Sequence, residues 1–145
     1  MKNLKAFEYF LEEGIVREIS SDKERSKSLI IESERKMNSL KEQIEKIGVK
    51  NENSNDYVEY CYNIMMNLIR SRMLLQGYTA SGHGAHEAEV AYLRRLGFTE
   101  KDIQFADQIR FFRNGILYYG TILEKEYAEK VIEFTKKTYS KLKNL

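Results

Sequence analysis

The residues best equipped for chemistry lie in one run, Arg110-Phe111-Phe112-Arg113-Asn114-Gly115-Ile116-Leu117-Tyr118-Tyr119-Gly120. Arg113 sits among aromatic residues on a segment with helical apolar spacing, so one side of that segment must be buried. A guanidinium stays charged and only donates, so near a core it needs an acceptor or an anionic ligand. Asn114 is a poor helix former and adds a second polar group at the same level. Arg110 stands three residues before Arg113, on the same helical face, and the two could grip one phosphate together. Two readings fit these residue types. Either Arg113 pairs with a carboxylate while Asn114 caps a turn, or the pair meets an anion.

A second constellation is Gly77-Tyr78-Thr79-Ala80-Ser81-Gly82-His83-Gly84-Ala85-His86-Glu87. It reads as a flexible polar loop entering a helix, whose first N–H groups are open to anions. His83 and His86 are the only histidines. The run lacks the GxxxxGK[ST] pattern of a phosphate loop, and its order is not the His-Glu-x-x-His of zinc proteases. A metal would need a third ligand, Glu87 or Glu89. Three readings stay open: a phosphate or RNA contact, a metal site, or a plain capped loop. No metal and no cofactor is expected.

From Tyr57 to Tyr119 the basic residues are Arg70, Arg72, Arg94, Arg95, Arg110 and Arg113, with Lys101 the one lysine. Arginine's planar fork suits phosphates and carboxylates alike. These side chains are therefore either anion contacts or partners of Glu87, Glu89, Asp102 and Asp107. Cys61, on an apolar stripe, reads as a small core residue. Met65, Met66 and Met73 read as adaptable packing or dimer contacts. The ten tyrosines suit interfaces where one end stays wet.

The elements that must position these groups are helices. Proline is absent, so breaks fall at Gly, Asn and Ser. The spacing predicts six segments: Leu4 to Glu13; a helix capped by Ser21 and Glu24 with the seam Ile30, Ser33, Met37, Leu40, Ile44, Ile47; Asn55 to Gln76; Ala85 to Leu96; a helix opened by Thr99 and Asp102; and one opened by Thr121 and Glu124. Ile15 to Ile19 is a connector that could be extended, and nothing alternates with period two long enough to predict a strand. The expected fold is all-α, an antiparallel up-and-down four-helix bundle with short accessory helices. The tight link at Gly120-Thr121 predicts that the last two segments are antiparallel neighbours.

Length and charge bound the class. The 145 residues suit one domain, 1–145. A net charge of +2 gives no argument for bulk attraction to nucleic acid or membrane. One cysteine excludes an internal disulfide and the zinc sites that need two or more. The first residues, Met1-Lys2-Asn3-Leu4, hold no apolar signal core, and no run approaches the roughly 18 apolar residues of a membrane span. The cytoplasm is the expected location.

Arg113-Asn114-x-x-x-Tyr118 resembles the Arg-x(4–6)-His motif of HEPN domains (higher eukaryotes and prokaryotes nucleotide-binding), often written with Asn directly after the Arg. In that family the motif lies on a late helix of an up-and-down bundle, before a final long helix, as the last two segments do here. The run from Gly77 to Gly120 and the layout of the first two segments are similar to small archaeal and bacterial members, the latter to members paired with minimal nucleotidyltransferases. The resemblance implies a homodimer with Arg113 near its axis, a nucleotidyltransferase partner, and a nucleotide or RNA ligand. The binding residues it points to, with the loop, are Arg110, Arg113, Asn114, Tyr118, Tyr119, His83 and His86.

One departure changes the expected activity. Family ribonucleases use the Arg with the His, and Tyr118 stands in the place of that His. Tyrosine titrates near 10 and is a poor general base at neutral pH, where histidine can both give and take a proton. Some family toxins also carry a tyrosine, two residues after the His, that the partner modifies with AMP. That position is Gly120 here, and neither Tyr118 nor Tyr119 is in register with it. The expected function is therefore a binding module without catalysis. The alternative is a metal-independent ribonuclease of a toxin–antitoxin pair, using Arg113, Asn114, and Tyr118 or a histidine brought in from the loop; a third is a purely structural oligomeric bundle with no ligand.

Overall fold

The computed structural model describes residues 3–144; Met1, Lys2 and Leu145 lie outside it. The order of elements is α1 (Phe7–Glu12), β1 (Val16–Glu18), α2 (Lys23–Ile47), α3 (Ser54–Gln76), β2 (Tyr78–Ala80), α4 (Ala85–Ala91) with a 3₁₀ turn (Tyr92–Arg94), α5 (Glu100–Tyr119) and α6 (Lys125–Lys143). The fold is all-α in its core. α2, α3, α5 and α6 pack together, and the short helices α1 and α4 are accessories. No helix among the described residues is long and apolar enough to cross a membrane.

α3 lies at the centre. Nearly every side chain from Tyr57 to Leu74 that is not Asn, Glu or Arg is buried, on all sides of the helix. Small serines let α2 approach it closely. Ser26 Oγ donates to the Ser71 carbonyl at 2.7 Å and Ser33 Oγ to the Ile64 carbonyl at 3.4 Å, which satisfies both hydroxyls and shows the two helices running antiparallel. On the other side, Ser54 Oγ donates to the Leu123 carbonyl, and Arg72 reaches the carbonyls of Leu142 and Lys143 at 2.6–2.9 Å. α6 therefore runs alongside α3 in the same direction, and Arg72 supplies donors to carbonyls that a helix C-terminus leaves open.

α5 and α6 are antiparallel neighbours, as expected. Lys137 meets Asp102, Phe134 stacks edge-on to Phe105 at 4.9 Å, and Tyr127 does so to Phe112 at 5.2 Å. The link is longer than the tight turn expected, however. Thr121 and Glu124 form no capping box. The chain runs from Gly120 to Glu124 without helix, and α6 begins at Lys125. The α2–α3 corner holds this link in place. Asn55 donates to the Thr121 carbonyl and accepts from Leu123 N–H, and Asn51 accepts from Lys125 N–H. A long-range contact thus replaces a local one.

The cap of α2 also shifts. Asp22, not Ser21, accepts the Arg25 N–H at 3.0 Å, and Ser21 Oγ donates to the Leu75 carbonyl. At Thr99 half of the expected capping box forms: its side chain accepts from Asp102 N–H at 3.2 Å, while the Asp102 carboxylate turns to Lys137. Ile47, the last residue of the α2 seam, and Tyr119, the last of α5, are exposed.

No strand was expected, yet Val16–Glu18 pairs antiparallel with Tyr78–Ala80. Three residues are too few for alternation to register in a sequence. The ribbon closes at Gly77, whose φ is +88° and where a Cβ would stand 2.8 Å from the Ile19 carbonyl oxygen. Only glycine suits that position.

Candidate functional site

The α5 run and the Gly77–Glu87 loop, far apart in sequence, face each other. Between them is a cleft of about 430 Å³ lined by His83, His86, Arg110, Arg113, Asn114 and Tyr118, with Glu87 and the backbone of Gly82 to Ala85. The structure thus brings together six of the seven residues singled out above. Tyr119 is the exception: it is 87% exposed and turned away.

The two arginines differ in their partners. Arg110 donates from Nε to the buried Asp107 at 2.7 Å and stands 3.9 Å from Glu87. It is held in place and largely neutralised. Arg113 has no carboxylate within ion-pairing distance among the described residues. Its guanidinium carbon lies 5.2 Å over the ring of Tyr62, and its Nε is buried without an acceptor. The carboxylate partner of the ion-pair alternative is missing among the described residues, and Asn114 caps nothing: it lies inside α5 and lines the cleft. A buried donor without a partner carries a desolvation cost of about 1–3 kcal/mol, and more on a charged group. An anion in the cleft would offset the guanidinium's unpaired charge.

Tyr62 joins the two halves of the site. It is almost wholly buried on α3, its ring under Arg113 and its hydroxyl 3.2 Å from His86 Nδ1. Burial, aided by the Glu89 charge, pushes its phenol up to about 12, so it stays protonated. The hydroxyl and Nδ1 share one proton in this contact, so Nε2 donates in one tautomer and accepts in the other. Desolvation lowers the pKa of His86; the Glu89 charge opposes this, and the charges of Arg70, Arg113 and Arg110 add to the lowering. The site then offers a neutral imidazole, a guanidinium without an ion pair and an amide. His83 is exposed at the mouth.

Of the remaining arginines, Arg72 meets only carbonyls, and of the other three only Arg70 pairs with a carboxylate expected from the sequence. Arg70 holds the buried Glu89 through two bonds of 2.7 and 3.1 Å, Arg94 pairs with Glu100, and Arg95 with Glu8. Among the described residues, Arg113 alone of the six arginines from Arg70 to Arg113 has neither a carboxylate nor a carbonyl partner. No three His, Cys, Asp or Glu side chains among the described residues are placed to hold a metal ion. Cys61 is buried, and burial pushes its thiol up to about 11, as a core residue would behave.

Tyr62 is the site residue that the sequence reading passed over. Its signal was faint: a phenol on the most apolar helix, whose hydroxyl had to find a partner somewhere. Next to the cleft, the end of α5 and the link after it expose Leu117, Tyr118, Tyr119 and Ile122 together, Ile122 at 77%. No family model, curated protein or solved structure matches this chain.

Proposed function

We propose that this chain is a HEPN-like domain, an up-and-down four-helix bundle that binds the phosphate of a nucleotide or RNA in the Arg113 cleft without cleaving it. In this reading it is a cytoplasmic homodimer and the partner of a nucleotidyltransferase. The observation that carries the reading is the Arg113 guanidinium, seated over Tyr62 with a buried Nε and no protein acceptor. Arg110 and Asn114 around it are donors suited to phosphate oxygens, and so is His86 in the tautomer that carries its proton on Nε2. The exposed apolar cluster of Leu117, Tyr118, Tyr119 and Ile122 supports a protein contact beside the cleft.

The test is binding of a labelled single-stranded RNA and of AMP to wild type and to Arg113→Ala. The expected result is a loss of about tenfold or more in affinity, the scale of one charge-assisted contact. Equal affinity for the two proteins would refute the reading. Sedimentation that shows a monomer over a broad concentration range would remove the dimer.

The ribonuclease reading has one observation in its favour: His83 and His86 share the cleft with Arg113 and could supply the imidazole that Tyr118 does not. The contact between Tyr62 and His86 Nδ1 leaves Nε2 a donor in one tautomer and a base in the other. RNA cleavage by wild type that is lost in both Arg113→Ala and His86→Ala would make the chain an enzyme.

A further inference from the structure

A second cavity, of about 340 Å³, adjoins the phosphate cleft, and Ala85 and His86 line both. The two differ in chemistry. On the cleft side Arg113 brings an unpaired positive charge. On the cavity side Arg70 and Glu89 neutralise each other through their paired bonds, and the walls from Leu29, Met73 and Leu74 are aliphatic. Arg25 stands exposed at the rim, where a planar guanidinium can stack on a flat ring. A neutral, partly apolar group suits this cavity better than a second anion.

The third wall is the strand β2, and its backbone is the informative part. Ile19 N–H bonds the Gly77 carbonyl, and Ser81 N–H bonds the Ile15 carbonyl, with Arg17 opposite Thr79 between them. Alternate residues of an antiparallel pair carry the ladder, so positions 77, 79 and 81 face β1. The N–H and C=O groups of Tyr78 and Ala80 therefore point off the free edge of a two-stranded ribbon. Two donors and two acceptors in one row, beside an aliphatic wall and a stacking guanidinium, match the polar edge and flat faces of a heterocyclic base.

We propose that the Leu29–Met73–β2 cavity holds the base of a nucleotide whose phosphate lies at Arg113, so that the ligand is a nucleoside monophosphate or one nucleotide of an RNA strand, with His86 between base and phosphate. This rests on the phosphate reading of the adjoining cleft. Specificity then comes from main-chain groups, which no side-chain motif in the sequence reveals.

The experiment is calorimetric titration of the full chain with AMP, GMP and ribose 5-phosphate. A base in the cavity makes AMP or GMP bind about tenfold or more tighter than ribose 5-phosphate, the scale of one stacked base. Leu29→Trp, which fills the cavity from a half-buried position, and Ala80→Pro, which removes one off-ladder donor at an edge strand that tolerates proline, should each shrink that ratio. Circular dichroism establishes that each variant is folded. Ribose 5-phosphate binding that needs Arg113, with no preference for either nucleotide, sinks the base cavity and leaves the phosphate reading standing. A preference unchanged in both folded variants sinks it as well. If no probe binds at all, the phosphate reading fails first.

Discussion

Arg113 stands over Tyr62, its guanidinium carbon 5.2 Å from the ring centroid, while the hydroxyl of the same ring reaches His86 at 3.2 Å. One buried side chain on the central helix therefore orients two groups that come from separate parts of the chain. Tyr62→Phe keeps the ring under Arg113 and drops only the hydroxyl. Tyr62→Leu removes both supports. AMP affinity should fall modestly in the first, by a factor of about three, and by about tenfold in the second, since cation–π contacts in desolvated sites reach roughly 2 kcal/mol. Equal losses in the two variants would mean that the ring does not hold Arg113.

His86 should make stability depend on pH in a defined direction. Its pKa is lowered by burial, so the folded chain takes up that proton at lower pH than the unfolded chain, whose histidine titrates near 6.5. Between the two values the unfolded state binds more protons, and stability rises with pH there. The contribution is full above about pH 6.5 and is lost as the pH falls through the folded-state value. Urea midpoints measured from pH 7.5 down to pH 5 should fall more steeply for wild type than for His86→Gln. Parallel curves would mean that His86 is as free as in the unfolded chain.

The Arg70–Glu89 pair is structural as well as a wall of the second cavity. Glu89 is 6% exposed at its side chain and Arg70 34%. Arg70→Met strands a buried carboxylate and should cost about 2–3 kcal/mol, below the range for a fully enclosed pair because Arg70 keeps some water. The double variant Arg70→Met with Glu89→Leu should recover most of that loss. Thermal unfolding of the three proteins decides it.

Two glycines should respond differently to alanine. Gly120 has φ +64° and open space around its missing Cβ, so Gly120→Ala should cost only the left-handed strain, about 1 kcal/mol. Gly77 adds a contact with the Ile19 carbonyl at 2.8 Å, so Gly77→Ala should cost upwards of about 2 kcal/mol and loosen the β1–β2 ribbon. Denaturant titration gives the costs. Amide exchange at Ile19, whose N–H is bonded to Gly77, reports on the ribbon.

Much of this architecture was legible in the residues because helix periodicity and glycine breaks are local signals. The four long helices, the end of α3 at Gly77 and the Thr99 cap follow from spacing alone. The misplaced features are those in which a distant group outbid a local one. Ser21 bonds Leu75 instead of capping α2, and Asn51 and Asn55 hold the link that Thr121 and Glu124 were read to cap. The ribbon escaped notice because a three-residue strand has no measurable period, and its partner lies some sixty residues along the chain.

For the site, the sequence alone determined which groups exist: two histidines, an Arg-Asn pair on the penultimate helix and no second cysteine. It also determined that Arg110 and Arg113 share a face, because a helix turns about 100° per residue. Only the tertiary structure decided that Arg110 meets Asp107 while Arg113 is left over Tyr62, and that the histidine loop closes the same cleft. Periodicity sets where a side chain points around its own axis. Which helix stands opposite is set by packing of the whole core, and no single segment carries that information.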